Sequence, residues 1–110
     1  MDGHQEKLQA LAKYLNETYF DILKAKGRGF TIAKFAEWMG LKQPTLSRYM
    51  AGDMPPNGDN ILTMARVMPK VLDILEYPDD PLLRRLLKYY FETSMIDQVE
   101  VQTKIDKLLK

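Results

Sequence analysis

Glycines and prolines interrupt this 110-residue chain at intervals, and between them apolar residues recur every three or four positions. Such spacing places apolar side chains along one face of an α-helix, whereas a half-buried strand alternates with a period of two. None of the segments between the interruptions has that alternation. The sequence therefore predicts an all-α fold in which helices are joined by short turns.

Seven helices are predicted from this pattern. Their expected ranges are about 3–26, 32–39, 43–51, 58–68, 70–77, 81–92 and 95–109. Thr31, Asn57 and Asp80 precede helices as N-caps, because their side-chain oxygens can accept hydrogen bonds from the free N–H groups of the first turn. We expect the first five helices to form one domain over 1–77, and the last two to form a C-terminal extension over 78–110.

Composition disfavours several kinds of chemistry. The chain has no cysteine, so disulfides, thiolate metal sites and thiol nucleophiles have no residue to use. Its one histidine, His4, leaves little for serine–histidine catalysis or for a histidine metal site. The segment 27–29, Gly-Arg-Gly, lacks the lysine and the spacing of a phosphate-binding loop. We therefore expect no catalytic residue, no metal and no cofactor.

The sequence does not point to a membrane or to export. No apolar run approaches the ~20 residues that cross a bilayer. No charged and then apolar leader opens the chain. We expect a cytoplasmic protein without a membrane partner.

The positive charge of the chain is concentrated in one block. The whole chain has a formal net charge of +1, but residues 26–50 hold five basic residues and one acidic residue. Both flanking regions have more acidic than basic residues. A local excess of this kind is typical of a surface that binds nucleic acid. Chance clustering would give the same numbers, so charge alone leaves both interpretations open.

Residues 31–51 combine two short predicted helices with a three-residue turn. Such a unit needs a small residue where the second helix crosses the first, and Ala36 provides it. It also needs a residue that tolerates a positive φ at the start of the turn, which is Gly40. The apolar residues that would hold the two helices together are Phe35, Met39, Leu41, Leu46 and Tyr49. The pattern predicts a helix-turn-helix whose second helix has a polar outer face.

From about residue 8 to residue 77, the chain resembles the lambda-repressor and Cro-like helix-turn-helix family. After the two-helix unit, the sequence continues with Ala51-Gly52, a polar loop, Pro56-Asn57 and a capped apolar helix, in the order typical of family members. The resemblance implies a five-helix domain whose third helix enters the DNA major groove while its second lies across the backbone. Family members often dimerise, which implies a palindromic DNA site.

The resemblance also implies which residues contact DNA. Those expected at bases are Gln43, Pro44, Thr45 and Arg48, and those expected at phosphates are Lys42, Ser47, Asn57, Asn60, Lys34 and Arg28. Glutamine can bond adenine through two atoms, arginine can bond guanine in the same way, and threonine can offer its methyl group to thymine. A soluble helical protein also carries polar residues on its surface, so that simpler interpretation stays open for each of them.

Four positions depart from the family pattern. Lys42 stands where a capping Ser, Thr or Asn is common, and Ile32 stands where a polar residue often supports the backbone contact. Gly58 replaces an apolar residue, and Pro44 replaces a side chain that could bond a base. These departures affect the expected base contacts more than the fold.

The predicted sixth helix has a broad apolar stripe. It consists of Leu82, Leu83, Leu86, Leu87, Tyr90 and Phe91. The stripe is wider than one helix needs in order to dock on a small domain, so we expect it to form a dimer interface. The alternative is that the C-terminal helices fold back onto the long first helix.

The leading hypothesis is a sequence-specific transcriptional regulator, most simply a repressor, that binds a palindromic operator in double-stranded DNA as a homodimer. A second hypothesis keeps the DNA site but makes the chain an antitoxin whose C-terminal helices cover a toxin. A third is a protein-interaction module that has the fold without DNA binding. Enzymatic activity is the least favoured, because the acidic residues are scattered and no pair is set apart.

Overall fold

The computed structural model describes residues 3–94, with side chains from residue 5 onward. Its first five helices are α1 (Gly3–Lys26), α2 (Ile32–Met39), α3 (Gln43–Ala51), α4 (Gly58–Ala65) and α5 (Lys70–Leu75). A sixth helix, α6, occupies 81–94. Every regular element in this part of the chain is a helix, which confirms the predicted all-α fold. The predicted seventh helix, 95–109, lies outside the described residues.

Three helices begin at the predicted N-cap residues. The Thr31 hydroxyl accepts a hydrogen bond from the N–H of Lys34 at 3.2 Å. The Asn57 side chain accepts one, at 2.8 Å, from the N–H three residues further on. At the start of α6, Asp80 Oδ1 accepts from the N–H of Leu82 at 2.9 Å. Each cap satisfies a donor that the first turn of a helix leaves free.

Two helices end earlier than predicted. α4 stops before residue 68, because the Met64 carbonyl accepts hydrogen bonds from the N–H groups of both Val67 and Met68 and so tightens the last turn. Pro69 follows and has no N–H with which to continue the helix. α5 stops before residue 77, because Glu76 adopts a left-handed φ of 50°. Both differences come from turn geometry that apolar periodicity does not encode.

One apolar core joins the helices. α1 packs against α3 and α5, α3 also packs against α2, and α4 packs against α5. The largest fully buried side chains are Tyr49, Phe35, Leu11, Leu15, Leu46, Met64, Leu72 and Val71. The apolar set predicted to hold α2 against α3 is buried, which confirms that prediction. The core thereby fixes the position of α3 from both sides.

α6 has one docked apolar face and one exposed apolar face. Phe91 is 9% exposed and belongs to the core, and Leu87 packs partly buried against it. Lys88 adds a salt bridge from α6 to Asp73 on α5. The expectation that Phe91 lies on a dimer face is corrected here, because its ring is docked within its own chain. α6 thus folds back onto the domain through this one face.

Candidate nucleic-acid interface

Gly40 sets the turn between α2 and α3. Its φ of 88° lies in the left-handed region, which glycine adopts without strain. The N–H groups of Gly40 and Leu41 both donate to the Ala36 carbonyl at 2.9 Å, which satisfies the end of α2. A Cβ on Gly40 would lie 3.3 Å from Thr63 Cγ2. Glycine meets both demands, and the predicted role of Gly40 is confirmed.

α3 has a buried face and an exposed face. Leu46 and Tyr49 are almost wholly buried. On the other side Gln43, Pro44, Ser47 and Arg48 are exposed, with Thr45 half-buried beside them. At about 100° per residue, the four exposed side chains fall within an arc of about 140°. The outer face of α3 is therefore polar apart from Pro44, and Arg48 is its one charge.

Two polar contacts anchor α3 to other helices. Asn60 Nδ2 on α4 donates to Tyr49 Oη at 2.8 Å. Asn16 Nδ2 on α1 donates to the Met50 carbonyl at 2.9 Å and to the Ala12 carbonyl at 2.7 Å. These contacts reach α3 from two directions, so its exposed face is held in one orientation by bonds as well as by packing.

Three predicted phosphate contacts are exposed basic residues on or next to α2 and α3. Lys42 is the N-cap residue of α3 and makes no side-chain capping bond. Lys34 lies in the first turn of α2, and Arg28 lies in the loop between α1 and α2. Among the described residues, none of the three takes part in an ion pair. Their charges are therefore available to an anion.

Asn57 and Asn60 already have partners within the chain. The Asn57 side chain caps α4, and the Asn60 amide bonds Tyr49. Asp59 adds a carboxylate to the same first turn, where it opposes an approaching phosphate. Both asparagines hold α3 and α4 in place, and a phosphate contact by either one stays a prediction.

The segment 24–75 matches the model of a family described as helix-turn-helix. It extends from the end of α1 through α5 and includes the α2–turn–α3 unit. Residues 24–75 form a helix-turn-helix domain of the lambda-repressor-like family. Such domains belong to DNA-binding regulators. No curated protein and no solved structure is significantly similar to the chain.

Packing explains two departures of this helix-turn-helix domain from the family pattern. A Cβ on Gly58 would lie 2.9 Å from Tyr77 Oη, so the Tyr77 ring fills the space that an apolar side chain would take. Ile32 is partly buried and packs against the core. At both positions the contact is internal, and neither departure changes the exposed face of α3.

Asn16 is a positioning residue that the sequence patterns did not reveal. Asn16 borders the apolar stripe of α1, because it lies next to Leu15 and four residues after Ala12. A polar amide beside a buried stripe is a signal, because such a group requires a hydrogen-bond partner. Its partner, the Met50 carbonyl, is 34 residues away along the chain and could not be named from spacing.

Outside the helix-turn-helix unit, two groups have shifted pKa values. Burial raises the pKa of Tyr14, and a hydrogen bond with Thr18 opposes that shift. The hydrogen bond to Asp73 raises the pKa of Lys88. Neither group lies on α3. Within the described residues, no group of His, Asp or Glu side chains is arranged to hold a metal ion, and no helix is long and apolar enough to cross a bilayer.

Proposed function

We propose that this chain is a sequence-specific regulator of transcription that reads the major groove of double-stranded DNA with α3 as a homodimer. A repressor is the simplest form, because a DNA-bound helix-turn-helix domain can cover a promoter without any further activity. The observation that carries the proposal is the division of α3 into an anchored, buried face and an exposed polar face. A regulator of this kind is expected in the cytoplasm, at the nucleoid.

The exposed face of α3 carries the chemistry needed to distinguish base pairs. Gln43 can bond adenine and Arg48 can bond guanine, each through two atoms. The five-residue step between them is a rise of about 7.5 Å, or roughly two base-pair steps of about 3.4 Å. Pro44 and the half-buried Thr45 can offer apolar contact to a thymine methyl group.

The surrounding basic residues supply affinity that does not depend on sequence. Lys42, Lys34 and Arg28 are exposed cations, and Ser47 is an exposed hydroxyl on α3. Phosphate contacts of this kind fix the orientation of a protein on the duplex, while base contacts specify the site. We therefore assign these four residues to phosphates.

The free face of α6 supports a homodimer. Five large apolar side chains lie on it with exposures between 52% and 69%: Leu82, Leu83, Leu86, Tyr89 and Tyr90. They recur at three- and four-residue steps and fall within an arc of about 120°. A monomeric protein rarely exposes a continuous apolar face of this size. A second copy fits it, since a two-fold axis pairs the same stripe with itself and places two α3 helices on a palindromic site.

Selection of DNA sequences tests the proposal that α3 reads base pairs. The purified chain is bound to a pool of random duplexes, bound sequences are recovered, and affinity for the selected site is measured at several salt concentrations. We expect a palindromic site whose affinity falls with salt, with a slope of roughly −0.9 for each phosphate neutralised. A pool without enrichment even at low salt would contradict the proposal.

Sedimentation of a matched pair of variants tests the dimer. Leu86→Glu places a charge in the middle of the α6 stripe and should convert the protein to a monomer. Phe20→Glu is the control, because Phe20 on α1 is similarly exposed but lies outside the stripe. If the Leu86→Glu protein remains dimeric, the α6 stripe is not the dimer interface.

The same stripe supports a second candidate, in which α6 binds a partner protein such as a toxin. This candidate needs the wild-type chain to be a monomer at all concentrations. It also needs the stripe to be covered in a complex with the product of a neighbouring gene. A wild-type homodimer through α6 would contradict it.

A further inference from the structure

A pocket lies between the end of α1 and α2, and none of its lining residues belongs to α3. Its volume is about 580 Å³, and it is lined by Ile22, Lys26, Gly29, Phe30, Lys34 and Trp38. Pockets that bind small molecules commonly have volumes of about 300–1,000 Å³ and mostly apolar walls with a few polar groups. This pocket fits that description, and nothing in the proposed DNA contacts explains its apolar walls.

The aromatic walls are fixed by packing. Trp38 stacks on the buried ring of Phe35, with centroids 6.0 Å apart and an interplanar angle of 14°. Phe30 meets the same ring edge-on at 5.9 Å, and its carbonyl accepts a 3.5 Å hydrogen bond from Tyr19 Oη. Trp38 nevertheless remains 48% exposed. The pocket therefore presents an indole surface that is already in position.

Two ammonium groups border these aromatic walls. Lys26 comes from the last turn of α1, and Lys34 comes from the first turn of α2. No acidic residue lines the pocket, and neither lysine forms an ion pair among the described residues. We propose that the pocket binds a small aromatic carboxylate, with its ring against Trp38 and Phe30 and its carboxylate at the two lysines.

Occupancy of this site should oppose DNA binding. Lys34 is also one of the four residues assigned to DNA phosphates, so a bound carboxylate would compete for the same ammonium group. This second step rests on the proposed DNA function, whereas ligand binding itself does not. The site would let the DNA-binding region itself respond to a metabolite.

Trp38 reports on the pocket directly, because it is the one tryptophan of the chain. The full-length protein is titrated with hydrocinnamate while tryptophan emission is recorded at wavelengths where the ligand does not absorb. We expect a saturable change in emission. Hydrocinnamyl alcohol, which has the same ring and chain without the charge, should bind about tenfold more weakly.

Lysine variants locate the carboxylate. Lys26→Gln and Lys34→Gln should each weaken hydrocinnamate binding by several fold. Lys24→Gln is the matched control, because Lys24 is exposed on the same end of α1 but does not line the pocket. Thermal melting checks that all three variants are folded. The site is refuted by an absence of saturation, by equal binding of acid and alcohol, or by an equal loss in the control.

A DNA titration separates the two steps. Hydrocinnamate should lower the affinity of the wild-type protein for its selected duplex, relative to the same concentration of acetate, and should affect Lys34→Gln much less. Ligand binding with unchanged DNA affinity would refute the competition but not the site. Failure to select any DNA would refute the proposed function. The fluorescence titration would still show whether the pocket binds the carboxylate.

Discussion

α3 and α6 are both amphipathic helices docked on the same core, but they differ in what they leave exposed. α3 buries its large apolar side chains between its neighbours and exposes a polar face. α6 buries Phe91, covers Leu87 in part, and leaves a larger apolar face free. The polar face suits a hydrated and charged ligand such as DNA, whereas the apolar face suits a protein surface.

The two helices also differ in how they are attached. α3 is held by hydrogen bonds from Asn60 and Asn16, which lie on α4 and α1. α6 is held to α5 by the Lys88–Asp73 salt bridge, which is partly exposed. A helix that reads base edges must be held in one orientation, and the two hydrogen bonds from neighbouring helices help to hold α3 in this way.

The same substitution on the two helices should have very different effects. Leu46→Ala leaves a cavity beneath α3 and should lower the free energy of unfolding by about 2–5 kcal/mol. Leu86→Ala trims an exposed side chain on α6 and should change it by no more than about 0.5 kcal/mol. Urea unfolding at low protein concentration measures both, since dimer dissociation would otherwise contribute. Equal losses would contradict the contrast between the helices.

The turn before α3 should tolerate no side chain. Gly40→Ala forces a positive φ on alanine and brings its Cβ close to Thr63, and we expect a loss of about 1–2 kcal/mol in unfolding free energy. Gly29→Ala is the control, because a Cβ there meets nothing within 4 Å and its φ is not positive. Thermal melting of both variants checks the difference. A Gly40→Ala protein as stable as Gly29→Ala would show that the turn can adjust.

Asn16→Ala tests the attachment of α3 to α1. It removes the donor to the Met50 carbonyl and should cost about 1 kcal/mol in unfolding free energy. Gln9→Ala, an exposed position on the same helix, is the control. We also expect Asn16→Ala to reduce discrimination between DNA sites without removing a DNA contact. Unchanged discrimination would mean that packing alone holds α3.

The attachment of α6 should depend on pH. Because Asp73 raises the pKa of Lys88 above its ordinary value of 10.5, their contact stabilises the fold below that pH and is lost as the pH rises through the folded-state pKa. Lys88→Gln should lower the unfolding free energy by about 0.2–1 kcal/mol at neutral pH. Denaturant unfolding should show this difference disappearing at alkaline pH. Tyr14 titrates in both proteins, so its contribution cancels in the comparison. If the difference in unfolding free energy stays constant as the pH rises, the Lys88–Asp73 contact is not its source.

The sequence predicted the α2–turn–α3 unit well because its signals are local. Thr31 and Gly40 act within a few residues of where they stand, through a side-chain cap and a positive φ. Contacts between distant segments were harder to predict. The pairing of Asn60 with Tyr49 and the filling of the Gly58 space by Tyr77 depend on how the helices pack.

The α6 stripe shows the same limit. Its apolar residues were predicted as one dimer face, but the structure divides them between two faces. On a helical wheel Phe91 lies about 140° from the centre of the exposed arc, so helical periodicity could have placed Phe91 on a different face from the exposed residues. Which of the two faces docks on the core is decided by long-range packing, and the sequence alone did not show it.

The most direct test of DNA reading by α3 compares two arginine variants on the selected duplex and on duplexes with single base-pair changes. Arg48→Ala should lose about 1–3 kcal/mol on the selected site and stop discriminating at one position. Arg66→Ala removes an exposed arginine outside the α2–α3 unit and should leave both quantities unchanged within about 0.5 kcal/mol. If Arg48→Ala weakens binding equally on every sequence, or not at all, α3 does not read bases through Arg48 and the central claim is contradicted.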